Sequence, residues 1–106
     1  MNQIFAFIED IGNYDKRVVG RDTSESGIEV STAYTSDEGY ETALLDQNGV
    51  HPVERYGTRT ESEQGHKKWL EFANTANGKK VTKLGGLGEL VGPEEITLAA
   101  DVDSHI

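Results

Sequence analysis

The stretch GIEVSTAYTSDEGYETALLDQNGVHPVERYGTRTESEQGHKKWLEFA, residues 27–73, decides the fold. It reads as three strand-like runs separated by turn signals and followed by a capped amphipathic helix. In the first run Ile28, Val30, Thr32 and Tyr34 fall on one side, and Glu29, Ser31 and Ala33 on the other. Such period-two spacing marks a half-buried antiparallel strand. The break Thr35-Ser36-Asp37-Glu38-Gly39 places a glycine where a five-residue hairpin loop needs positive φ. Tyr40 to Asp46 returns as the second run, and Asn48-Gly49 then gives the strongest short hairpin signal. The third run spans about Val50 to Tyr56. Pro52 within it lacks the N–H that central pairing needs, so this strand belongs at an edge or bends at its start.

At Thr58 to Glu63 the pattern turns helical. Thr60 and Glu63 match the capping box, in which each side chain satisfies an orphan amide of the first turn. Glu61 and Glu63 suit the positive end of the helix dipole, and Lys67 and Lys68 follow towards the other end. Trp69, Phe72, Ala73 and Ala76 share the face expected to cover the strands. Gly65 costs about 1 kcal/mol relative to Ala in such a helix, which fits a close approach to the sheet or to an aromatic ring. The helix is expected from Thr60 to about Thr75, with Asn77-Gly78 as the stop.

Outside this block the signals weaken. Ile4, Phe5, Phe7, Ile8 and Ile11 form an apolar N-terminal run read as a short helix ended by Gly12-Asn13, and Lys16 to Arg21 reads as a short strand. Asp22 to Gly27 is polar and turn-rich, hence a loop. Lys79 to Leu84 has the character of a last strand, after which Gly85, Gly86, Gly88 and Gly92-Pro93 make the chain irregular. The expected architecture is α+β: an antiparallel meander of three or four strands, one amphipathic helix packed on one face, and an irregular acidic C-terminal tail. Residues 1–78 form the expected domain and residues 79–106 a glycine-containing acidic extension suited to docking on a partner.

A chain of 106 residues with a net charge of −9 and no cysteine sets firm bounds. One small domain is expected. Disulfides, thiolate metal sites and thiol nucleophiles are excluded. Residues 1–50 hold 3 Lys/Arg against 10 Asp/Glu, residues 51–88 hold 7 against 4, and residues 89–106 hold none against 5. An acidic face and tail therefore flank a mildly basic middle. Direct nucleic-acid binding is disfavoured, since that affinity comes from neutralising phosphates with Lys and Arg. The run Ile4 to Ile8 is too short to span a bilayer, and no membrane association is expected.

No catalytic, cofactor or metal site assembles from the motifs. Lys83 to Gly88 lacks the Gly-Lys-Ser/Thr ending of a phosphate loop, and Val91 stands where a dinucleotide fingerprint asks for glycine. His51, His66 and His105 have no metal-ligand spacing, although His51 is placed to meet Asp46 across a turn and His66 to hydrogen-bond a strand. No nucleophile elbow occurs. The residues left as interaction candidates are Tyr34 and Tyr40, amphipathic anchors of the kind interfaces favour, together with the carboxylates Asp37, Glu38 and Glu41 at the hairpin tip and Glu94 and Glu95 in the tail.

Three segments carry a resemblance. They are Asn13-Tyr14-Asp15-Lys16-Arg17-Val18-Val19, then Gly39-Tyr40-Glu41-Thr42-Ala43, then Tyr56-Gly57-Thr58 through Glu63-Gln64-Gly65-His66-Lys67-Lys68-Trp69. Their order resembles a group of small proteins encoded by tailed bacteriophages and prophages, over about residues 13–72. The resemblance implies a viral genome and transfers no activity. Two expectations follow: in that viral setting, a non-enzymatic structural or accessory protein docked among other virion proteins, or, from the −7 of residues 1–50, an acidic inhibitor presenting carboxylates to a basic groove of a host defence or nucleic-acid enzyme in the host cytoplasm.

Overall fold

The computed structural model describes residues 17–36, 39–85 and 92–100. The N-terminal run read as a helix lies outside these, as do Asp37, Glu38 and residues 86–91 and 101–106. The elements are β1 (Val18–Thr23), β2 (Glu29–Thr35), β3 (Gly39–Asp46), β4 (Gly49–Tyr56), α1 (Arg59–Ala73), β5 (Lys80–Lys83) and β6 (Glu94–Thr97). Strands β1 to β4 form an antiparallel meander in chain order, α1 packs against it, and β5 and β6 make a separate two-stranded sheet. The fold is the expected α+β architecture, with the upper number of meander strands.

Alternation along β2 is realised as read. Ile28, Val30 and Thr32 are buried, while Tyr34 at the strand end is 44% exposed. Gly39 has φ +75° and Gly49 φ +126°, both in the left-handed region that disfavours a Cβ. At the β3–β4 turn Asp46 pairs with Gly49, so the connecting residues are Gln47 and Asn48 rather than Asn48-Gly49. The Asp46 side chain accepts from the Asn48 amide at 2.9 Å and closes the turn one residue early.

Strand β4 is an edge of the meander, as Pro52 required. Its register slips between Thr42, opposite Glu54, and Ala43, opposite Pro52, leaving Val53 as the extra residue of a bulge. Strict alternation forbids two neighbours from facing the same side. The bulge lets Val53 enter the core while Glu54 also reaches the helix.

The N-cap lies two residues before the Thr60/Glu63 reading, and the helix begins at Arg59 rather than Thr60. Thr58 is the N-cap, with extended backbone (φ −134°, ψ 161°) and Oγ1 accepting from Glu61 N at 3.1 Å, while Glu61 Oε1 accepts from Gly57 N at 3.2 Å. The S/T-x-x-E pattern occurs twice in this stretch, and Thr58 continues the extended backbone of β4 directly into the cap. The helix also ends earlier, at Ala73. The β1–β2 loop supplies the reason: Ser24 and Ser26 hydroxyls donate to Ala73 O at 3.1 and 2.5 Å, and Asn74 Oδ1 accepts from Glu25 N at 2.9 Å. Carbonyls left over at a helix C-terminus need such partners.

Lys80–Lys83 is the strand expected at Lys79 to Leu84, but the chain beyond it departs from the irregular tail expected there. Lys80–Lys83 pairs with Glu94–Thr97, Leu98 is fully buried and Ala100 nearly so. Ile96, Leu98 and Ala100 repeat at period two, a core-facing signal masked by the surrounding acidic and glycine residues. Backbone bonds join Gly78 N to Leu98 O and Leu98 N to Lys79 O, both at 2.8 Å. The core thus combines Ile28, Val30, Leu44 and Val53 of the meander, Ala73 and Ala76 at the helix end, and Val81, Leu98 and Ala100.

Candidate functional site

Beneath the middle of α1 the core gives way to a polar layer. Each strand of the meander contributes to it: Asp22 from β1, Thr32 from β2, Thr42 from β3, Tyr56 and Glu54 from β4. The helix contributes His66, Lys68 and Trp69. Thr32 and Thr42 are direct cross-strand partners, so their hydroxyls meet at 2.5 Å. His66 Nδ1 lies 2.7 Å from Thr32 Oγ1, and His66 Nε2 lies 2.7 Å from Asp22 Oδ2. The Tyr56 hydroxyl is 3.0 Å from Thr42 Oγ1 and 3.1 Å from Glu54 Oε1. Lys68 Nζ and Trp69 Nε1 each donate to the same Glu54 oxygen at 2.7 Å. The result is one continuous hydrogen-bonded chain from Asp22 to Glu54.

Two glycines make room for it. A Cβ on Gly20 would stand 2.7 Å from His66 Nε2, and a Cβ on Gly65 would fall inside van der Waals contact of the Tyr56 hydroxyl and ring. Gly20 on the sheet admits a helix side chain, and Gly65 on the helix admits a sheet side chain. The aromatic approach expected at Gly65 is therefore made by Tyr56.

Asp22, His66 and Thr32 have the connectivity of an acid, a base and a hydroxyl nucleophile. Their exposure runs the wrong way for that chemistry. Thr32 is 0% exposed, His66 8%, and the Asp22 side chain 52%. The hydroxyl that would attack a substrate is the most enclosed member.

The charged end is tuned by its neighbours. Burial alone raises the Glu54 carboxyl, but Lys68, Trp69 and Tyr56 outweigh it and hold the group below its ordinary value. Burial pushes the Tyr56 phenol up to about 12, aided by the nearby Glu54 charge. Another carboxylate, Asp46, whose side chain is closed to solvent, binds His51 Nε2 at 2.8 Å as its sequence position anticipated, and accepts from Ala99 N at 2.9 Å. Desolvation raises its carboxyl, yet these donors and the Asn48 amide leave it lowered.

Two open clefts flank the Glu54, Lys68 and Trp69 trio. One, of about 480 Å³, is polar and lined by Glu54, Tyr56, Glu61, Gln64 and Lys68. The other, of about 490 Å³, is lined mainly by Val53, Trp69, Phe72 and Val81, with Lys68 and Lys80. Among the described residues no group of three or more His, Asp or Glu is placed to hold a metal ion, and no helix is long and apolar enough to cross a membrane.

The interaction residues read from sequence divide in space. Tyr34 and Tyr40 are register partners whose rings meet edge to face, 5.0 Å between centroids. Glu41 next to them is paired with Arg55 at 2.9 Å. Glu94 and Glu95 stand exposed on β6, which makes no contact with β2 or β3 among the described residues. Sequence reasoning missed Asp22, Thr32, Thr42 and Glu54. The available signal was Thr32, which shares one side of the first run with Ile28 and Val30, facing a second threonine, Thr42, in the next run.

No family model, curated protein or solved structure matches this chain.

Proposed function

We propose that the chain is a non-enzymatic docking protein of a tailed-bacteriophage particle, binding other virion proteins through its surface. One observation carries the non-enzymatic part: the acid–base–hydroxyl set Asp22, His66 and Thr32, built among the described residues, has its hydroxyl fully enclosed. The phage setting is supported by the resemblance over residues 13–72. The docking part is supported by the Tyr34–Tyr40 pair, a partly exposed aromatic patch of the kind protein interfaces use. Neither a membrane nor nucleic acid is required as a partner.

The second reading, an inhibitor presenting carboxylates to a basic host protein, draws on the acidity of residues 1–50. Glu41 weakens it, because its charge already faces Arg55.

Mass spectrometry of purified particles, with copy number scaled to the major capsid protein, tests the proposal. A fixed stoichiometric presence is expected. Absence from particles together with abundance in infected cells would transfer support to the inhibitor.

A further inference from the structure

The apolar cleft beside Trp69 lies where two strand edges meet without zipping together. Among the described residues the backbone bond between the two edges runs from Leu84 N, just past β5, to Pro52 O of β4 at 2.8 Å. The cleft opens between Val53 on one strand and Lys80, Val81 and Thr82 on the other. Strand β6 occupies one edge of β5, so the other edge borders this space. Its aromatic wall is rigid: Trp69 and Phe72 meet edge to face, 5.4 Å between centroids, and the Trp69 indole is tied to Glu54.

The charge around the cleft opposes that of the whole molecule. Lys80 lines it, Lys79 Nζ stands 5.7 Å from the Phe72 ring, Lys68 on its lining is already paired with Glu54, and among the described residues none that lines it is acidic. In a chain of net charge −9 this is a local cationic rim around an apolar floor. A surface of this kind selects an apolar anchor flanked by negative charge, and free strand edges add backbone pairing to an extended chain.

We propose that this wedge receives an extended acidic segment of a partner protein, which inserts one large apolar side chain against Trp69 and Val81 and sets carboxylates beside Lys79 and Lys80. The inference rests on the docking reading above and names the chemistry of the partner.

The test uses the full chain and the indole N–H signal of Trp69, which is unmistakable because the chain has one tryptophan. The probe is the acetylated, amidated hexapeptide Glu-Asp-Leu-Phe-Asp-Glu. Saturable movement of the Trp69 indole and Val81 amide signals is expected. Lys79→Gln with Lys80→Gln should leave the spectrum of the free protein folded and weaken binding about fivefold, as the loss of two exposed ion pairs implies. Replacing the acidic frame by Gln and Asn, or Leu-Phe by Ser-Ser, should weaken it as well. A Trp69 signal that stays still at millimolar peptide, or equal responses to the acidic and neutral frames, overturns the proposal. So does phenylacetate binding as tightly as the peptide, which would mark a small-molecule site. Particles that contain a chain deaf to the peptide would refute the wedge alone, and peptide binding by a chain absent from particles would refute the virion reading alone.

Discussion

His66 Nδ1 and Thr32 Oγ1 lie 2.7 Å apart across the interface between helix α1 and the centre of the meander, with both residues closed to solvent. Apolar burial presses a helix onto a sheet without choosing its position along the strands. A buried hydrogen bond does choose, because any slide leaves two desolvated polar groups without partners. The pair thus sets where the helix sits, and the chain from Asp22 to Glu54 repeats that constraint on every strand of the meander.

Gly65→Ala should destabilise the fold by about 1–3 kcal/mol, although alanine is the better helix former. The added methyl group collides with the Tyr56 ring and hydroxyl. Urea unfolding reads the loss directly. Combining the change with Tyr56→Ala should cost less than the two single losses added together, because the collision disappears with the ring.

Asp46 predicts the acid limb of the stability curve. Its carboxyl is held below the ordinary value of 3.8, so its contribution is present above that value and disappears as pH falls through the lowered one. Asp46→Asn should lower stability by about 1–3 kcal/mol at neutral pH. It should also flatten the loss below about pH 4. Amide exchange at Ala99, whose N–H the carboxylate holds, should quicken in the variant.

Tyr56 predicts the alkaline limb. Its phenol is raised from 10.0 to about 12, so the stability it contributes is complete below the ordinary value and is lost as pH climbs through the raised one. Tyrosinate absorbance should show one of the chain's four tyrosines ionising only as the fold melts. Tyr56→Phe should remove that late component.

Leu98→Ala should cost about 2–5 kcal/mol, the range for a fully buried leucine. A docking tail with no part in the core would lose almost nothing. Thermal unfolding of the variant separates the two.

Legibility followed the strength of local signals. The β2 alternation was readable from its period-two pattern, and the two hairpins and the edge position of Pro52 because each rests on the backbone chemistry of a glycine or proline. The second capping pair at Thr60 and Glu63 was a decoy identical in pattern to the real one at Thr58 and Glu61. The contribution of Ile96, Leu98 and Ala100 was hidden because a four-residue strand gives too short a run for its period to stand out. His51 with Asp46, and His66 with a strand, were foreseen as pairings. The full polar layer was not, since it depends on Thr32 facing Thr42 across a register that only pairing reveals.

A double-mutant cycle on His66 and Thr32 tests most directly whether these groups hold the helix on the sheet rather than serve a reaction. His66→Ala, Thr32→Val and the combined variant would be unfolded in urea, alongside the wild-type chain. The account predicts single losses whose sum exceeds the combined loss by about 1–2 kcal/mol, the coupling of a buried hydrogen-bonded pair. Losses that add to within about 0.5 kcal/mol would contradict it.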